Sequence, residues 1–88
     1  MFERWTVKRE NLGKTGSEGG VIIRDEEMPS IGRVTIEKIQ NIQTGKTYFP
    51  VTIGIPDQLI HTAFFSSLDN AKEGADIAKL LIQVLSDS

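Results

Sequence analysis

Three stretches between the N-terminus and Ile55 alternate apolar and polar residues with a period close to two, which is typical of β-strands that bury one face. A fourth, Val21-Ile22-Ile23, is a short run of β-branched apolar residues. Together they predict four strands, over residues 2–10, 21–23, 33–42 and 48–55. No helical pattern interrupts them, so no crossover helix is available for parallel pairing. We therefore expect these strands to form an antiparallel sheet.

Glycines mark the connections between the predicted strands. Residues 11–20 contain four glycines and few apolar side chains, which predicts a flexible loop between the first two strands. Thr44-Gly45-Lys46 lies between two β-rich runs, and a glycine with positive φ at such a place is typical of a hairpin. The third and fourth strands are therefore expected to pair directly.

Three positions make the strand pattern irregular. The apolar phase shifts after Ile36, which indicates a β-bulge between Glu37 and Ile39 or, alternatively, a short helix. Pro50 has no N–H to donate to a ladder, so we predict it on a sheet edge or at a bulge. Residues 58–65 fit both periods; the pattern favours a fifth strand and leaves a helix as the alternative.

The C-terminal residues carry a helical pattern. Ser66 followed by Asp69 resembles a capping box and predicts the start of a helix. Apolar residues then recur at steps of three and four, which predicts an amphipathic helix. Its inner stripe comprises Leu68, Ala71, Ala75, Ala78, Ile82 and Leu85. Its solvent side is expected to carry Lys72, Asp76, Lys79 and Gln83.

These elements predict the fold class. The order is β-β-β-β-(β)-α, an antiparallel sheet of four to five strands packed against one C-terminal amphipathic helix. A chain of 88 residues fits one domain, so residues 1–88 are expected to form a single α+β domain. A domain of this size buries only about 60% of its unfolded surface, and a second subunit is a common way to stabilise it.

Composition excludes several classes of function. The chain has no cysteine and one histidine, so neither a disulfide nor a zinc site of the usual types is expected, and no metal or cofactor is predicted. The net charge of −2 argues against a protein whose main task is to neutralise phosphates. No segment approaches the length of about 20 apolar residues that spans a bilayer, so we expect a cytoplasmic protein without a membrane partner.

No pattern in the sequence predicts catalysis. His61 has no acid or base beside it in sequence, and a helix cap accounts for Ser66 and Ser67. The Gly-Lys-Thr strings at Gly13 and Gly45 lack the upstream glycine and the following helix of a phosphate loop. The acidic run Asp25-Glu26-Glu27 lacks the spacing of a calcium loop. We therefore expect a protein that is not an enzyme.

Trp5 allows one specific alternative. An aromatic ring on a sheet face can stack on a base while nearby cations hold phosphates, as in proteins that bind single-stranded nucleic acid. The competing interpretation places Trp5 in the core beside Val7, and it is favoured because the chain has no basic excess. The candidate nucleic-acid-binding set is Arg4, Trp5, Lys8, Arg9, Arg24, Arg33 and Lys38.

The helix supplies the leading hypothesis. Ile77, Leu80 and Val84 form a second apolar stripe outside the inner one, and one sheet cannot easily cover both. Exposed apolar stripes usually mark interfaces. The sequence therefore predicts a small non-enzymatic binding module, a homodimer joined through this stripe, with another protein as a further possible partner.

Overall fold

The computed structural model describes residues 2–56 and 61–87, apart from the side chain of His61. Within them the chain forms five strands, one helix and a short 3-10 turn. Their bounds are β1 (Thr6–Val7), the 3-10 turn (Arg9–Asn11), β2 (Val21–Met28), β3 (Gly32–Gln40), β4 (Thr47–Gly54), β5 (His61–Phe65) and α1 (Leu68–Asp87).

The five strands form one sheet in the order β1-β2-β3-β4-β5, and every neighbouring pair is antiparallel. The helix α1 follows β5 and packs across β3, β4 and β5. The predicted α+β class, an antiparallel sheet with one C-terminal helix, is confirmed. No helix among the described residues is long and apolar enough to cross a membrane.

The core lies between α1 and one face of the sheet, which we call the helix face. Val34, Ile36 and Val51 project from β3 and β4 toward α1 and are buried there. They meet the small residues Ala71 and Ala75, which let the helix approach closely. The opposite face, here called the loop face, carries the residues that alternate with these in sequence.

The hairpin between β3 and β4 forms as predicted, with Gly45 at φ +74° in its turn. The expected irregularities lie elsewhere. The register shift falls between Ile22 and Arg24, so the bulge is in β2 beside the predicted site and not within β3. β4 is an interior strand, so the expectation of an edge position for Pro50 is wrong. Proline has no N–H to donate, and the β3–β4 pairing is interrupted at this position: it runs to Ile36↔Val51 and resumes at Ile39↔Tyr48.

Two strand bounds and the helix cap differ from the sequence prediction. The first strand is confined to Thr6–Val7, because a 3-10 turn starts at Arg9, and β2 continues to Met28, beyond the predicted residues 21–23. Residues 61–65 form the favoured fifth strand, while 58–60 lie outside the described residues. The amide of Asn70 donates to Ser67 Oγ at 3.3 Å, so the serine that caps α1 is Ser67 and not Ser66.

Gly74 shows how closely the helix lies to β5. A Cβ atom at this position would be 2.8 Å from Cζ of the Phe65 ring. Alanine is favoured over glycine in a helix by about 1 kcal/mol, but the overlap with the ring costs about 1–3 kcal/mol. We therefore expect Gly74→Ala to leave the free energy of unfolding unchanged or lower in urea titrations, and to raise it by about 1 kcal/mol in a Phe65→Leu background. An equal stabilisation in both backgrounds would contradict this contact.

Candidate functional site

Trp5 lies in the core. Its side chain is 8% exposed, and its Nε1 donates a hydrogen bond to Oε1 of Gln83 on α1 at 3.2 Å. Helix α1 covers the sheet face on which the ring packs. A base could stack on this ring only if the helix moved away, so the structure agrees with the core interpretation of Trp5. Val7, expected beside it in the core, is instead 49% exposed.

The cations proposed to surround Trp5 are dispersed, and four of the seven predicted residues form ion pairs. Arg4 contacts Asp87, Lys8 contacts Glu10, Arg24 contacts Glu26 and Asp76, and Arg33 contacts Asp25. Arg9 and Lys38 are exposed. The structure does not gather this set around an exposed ring.

Two of these arginines are held on opposite faces of the sheet. The hydrogen bond to Asp25 raises the pKa of Arg33 on the loop face, against a smaller effect of burial. Burial lowers the pKa of Arg24 on the helix face, but its hydrogen bonds to Asp76 and Glu26 outweigh that effect and the pKa is raised. Both guanidinium groups therefore stay charged and paired at neutral pH.

Lys79 was expected on the solvent side of α1, and that prediction is wrong. The residue is 2% exposed, and its Nζ lies 2.5 Å from Oε2 of Glu26 on β2. The ammonium group also lies 4.0 Å from the centre of the Phe2 ring and 5.3 Å from that of Trp5. The apolar stem of lysine can cross the packed layer while its charge reaches a carboxylate, which helical spacing alone does not indicate.

The outer side of α1 carries a continuous apolar surface, which we call the outer stripe. Ile77, Leu80 and Val84 are exposed, as the sequence predicted. Leu81 was not predicted to belong to it, and Leu85 was wrongly assigned to the inner stripe, whose burial ends at Ile82. Individual exposed fractions in the outer stripe range from 38% to 68%. The five positions follow the i, i+3, i+4, i+7, i+8 spacing of one helix face.

An apolar groove extends the outer stripe at the C-terminal end of α1. It has a volume of about 330 Å³ and lies between the helix, the turn that joins β2 to β3, and the residues that follow β4. Ile31 lines it from the β2–β3 turn, Ile55 and Pro56 from the segment after β4, and Ile82 and Leu85 from the helix. Because Leu85 belongs to both, the groove and the outer stripe form one apolar surface.

The loop face holds a different feature, a space of about 310 Å³ that we call the loop cleft. Thr35 and Thr52, paired across β3 and β4, form its floor, and Ile22 of β2 also lines it. The two threonines belong to a row of paired residues that continues to Asp25 on β2 and Thr62 on β5. The glycine-rich segment 11–20 covers part of this row. Its glycine content predicted only a flexible connection between strands.

Glu37 fastens the glycine-rich segment to the sheet. Its carboxylate is 1% exposed and accepts hydrogen bonds from the backbone N–H groups of Gly20 at 3.0 Å and Glu18 at 3.3 Å. A Cβ atom on Gly16 would overlap the carboxyl group of Glu37. Glycine at position 16 therefore permits the close approach of the loop, a role beyond that of a flexible connection.

The acidic run of β2 is divided between the two faces. Asp25 accepts hydrogen bonds from Arg33 and Asn11 on the loop face, whereas Glu26 contacts Arg24 and Lys79 on the helix face. Among the described residues no three acidic or histidine side chains cluster in a way that could hold a metal ion. The side chain of His61 lies outside the described residues.

Comparisons of the chain with protein-family models, with curated proteins and with solved structures gave no match.

Proposed function

We propose that this protein is a small non-enzymatic interaction module that acts as a homodimer joined through the outer stripe of α1. The observation that carries the proposal is the exposure of five aliphatic side chains on one face of the last turns of the helix. Soluble monomers rarely expose apolar patches of this continuity. In a two-fold dimer the stripe of each copy packs against the stripe of the other, so the same residues cover the apolar surface of both chains.

The size of the stripe suits a reversible dimer. Complete burial of an aliphatic side chain contributes about 1.5–3 kcal/mol, so partial burial of ten such side chains across two copies gives on the order of 10 kcal/mol. Association costs about 4–15 kcal/mol in lost freedom. The two terms are comparable, so dissociation in the micromolar range is expected unless the adjoining groove adds further contacts.

Charges around the stripe favour an antiparallel arrangement of the two helices. Glu73 continues the line of the stripe toward the N-terminus of α1 and is exposed. A parallel pair would place the two copies of Glu73 opposite each other, and like charges at that distance repel. An antiparallel pair centred near Leu81 keeps them apart at the two ends. Lys72 lies off the stripe and is exposed, and Asp76, also off the stripe, keeps its bond to Arg24.

A cysteine cross-link tests this arrangement, because the chain has no cysteine of its own. In an antiparallel pair, position 81 lies near its counterpart across the two-fold axis, within the spacing that a disulfide needs. We expect oxidised Leu81→Cys to run as a covalent dimer on a non-reducing gel. Lys72→Cys, an exposed position on the same helix but off the stripe, is the matched control and should remain largely monomeric. Equal rates of cross-linking at the two positions would contradict the proposal.

A further inference from the structure

We propose that the loop cleft is a binding site for a small, uncharged molecule rich in hydroxyl groups. The proposal rests on the loop face of the sheet and is independent of self-association through α1. The cleft volume of about 310 Å³ is at the lower end of ligand pockets in proteins, which indicates a ligand of the size of a monosaccharide or a cyclic polyol.

A buried hydroxyl group lies in the middle of the row of paired residues from Asp25 to Thr62. At one end of the row, Asp25 is bonded to Arg33 and Asn11, and at the other the hydroxyl of Thr62 donates to Oε1 of Glu18 at 2.9 Å. Thr52, between them, is 7% exposed, and its Oγ1 finds no hydrogen-bond partner within the described residues. A buried polar group without a partner is costly, and Thr52 lines the cleft where a ligand would supply one.

Hydroxyl groups line the cleft on the side of the sheet and on the side of the glycine-rich segment. Thr35 and Thr52 line the cleft from the sheet, and Thr15 and Ser17 line it from the glycine-rich segment. A hydroxyl both donates and accepts hydrogen bonds, so a wall of hydroxyls matches a ligand whose own polar groups are hydroxyls. This match does not require either partner to carry a charge.

Two charged residues that line the cleft, Arg33 and Glu37, are paired within the protein. Arg33 is neutralised by Asp25, and the carboxylate of Glu37 is held by two backbone N–H groups of the covering segment. Lys14 is exposed at the rim. The charged groups in the interior thus already have partners inside the protein, and a charged ligand would have to compete with them for these contacts. An uncharged ligand leaves these pairs in place.

Gly54 gives a way to close the cleft without disturbing the fold. It lies on the loop face opposite Arg33 and lines the cleft. A Cβ atom there would meet only Cβ of Arg33 at 3.9 Å, which is ordinary contact. Valine is favoured in strands, so Gly54→Val should fold and project its side chain into the space that a ligand needs.

The test is titration of the 15N-labelled full chain with myo-inositol and with D-glucose, followed by amide chemical shifts. We expect saturable shifts in the millimolar range at Gly16, Gly20 and Thr52. Thr52→Val keeps the side-chain shape and removes the hydroxyl, and it should weaken binding about tenfold, the factor that corresponds to one lost hydrogen bond. Gly54→Val should abolish the shifts. Thr6→Val, an exposed strand threonine away from the cleft, should bind as the wild type does.

Three outcomes would overturn the proposal. Shifts that grow linearly without saturation would show that the cleft holds only water. Binding that survives Gly54→Val in a variant with a native amide spectrum would place the site elsewhere. Saturable binding of sodium phosphate, tested in parallel, without binding of either polyol would identify an anion site instead.

Discussion

Glu26→Ala is expected to lower the free energy of unfolding by about 3–5 kcal/mol, because it leaves a buried ammonium group without its carboxylate. Lys79 Nζ lies 2.5 Å from Oε2 of Glu26 and is otherwise enclosed by the rings of Phe2 and Trp5. Contact with desolvated rings is worth about 2 kcal/mol and does not replace the lost ion pair. Domains of this kind are stable by about 5–15 kcal/mol, so the urea midpoint should fall markedly.

Two control variants separate burial of charge from loss of an ordinary contact. Glu10→Ala removes the exposed partner of Lys8, and the urea midpoint is expected to stay at the wild-type value because solvent screens such a pair. Lys79→Met combined with Glu26→Leu replaces the buried pair by apolar groups, and this double variant should recover most of the stability lost in Glu26→Ala. Arg24 then keeps its bond to Asp76. A loss of less than 1 kcal/mol in Glu26→Ala would show that the ammonium group reaches water.

Leu80→Glu is expected to convert the dimer into a monomer. Leu80 lies in the middle of the outer stripe, so two new carboxylates would meet near the two-fold axis, where each must lose water and repel the other. We expect the dissociation constant to rise by at least about 100-fold, which corresponds to about 2.7 kcal/mol. The far-ultraviolet circular dichroism should be retained, since the side chain is already 38% exposed in the single chain.

Lys72→Glu is the control for this variant, because it introduces a carboxylate on the same helix away from the stripe and changes the net charge by two units, against one unit for Leu80→Glu. It should dimerise as the wild type does. If both variants dissociate to the same extent, net charge and not the stripe governs association.

The sheet could be predicted from the sequence because strand alternation is a local property. Val34 and Ile36 alternate with Thr35 and Glu37, and one glycine turn joins β3 to β4, so pairing and faces follow from neighbouring residues. The same reasoning assigned the α+β class. It could not place Pro50, because whether a strand is interior depends on how many strands flank it, and β5 was ambiguous in sequence.

The contacts between distant residues could not be predicted. Lys79 and Glu26 are 53 positions apart, and the helical spacing that put Lys79 on the solvent side gives no information about a carboxylate on the facing strand. Helical spacing identified Ile77, Leu80 and Val84 as exposed. It could not assign Leu85, because that depends on where the contact between α1 and the sheet ends, which is at Ile82. The loop cleft was missed, because its lining combines residues of β2, β3 and β4 with residues of the glycine-rich segment.

Sedimentation equilibrium of the wild-type chain tests the central claim, self-association through the outer stripe, most directly. We expect the weight-average mass to rise from the chain mass of 9.8 kDa toward twice that value as the concentration passes through the micromolar range. Leu80→Glu, measured in the same experiment, should stay at the mass of one chain. A wild-type protein that remains at 9.8 kDa up to millimolar concentration would contradict the account and show that the outer stripe does not join two copies of this chain.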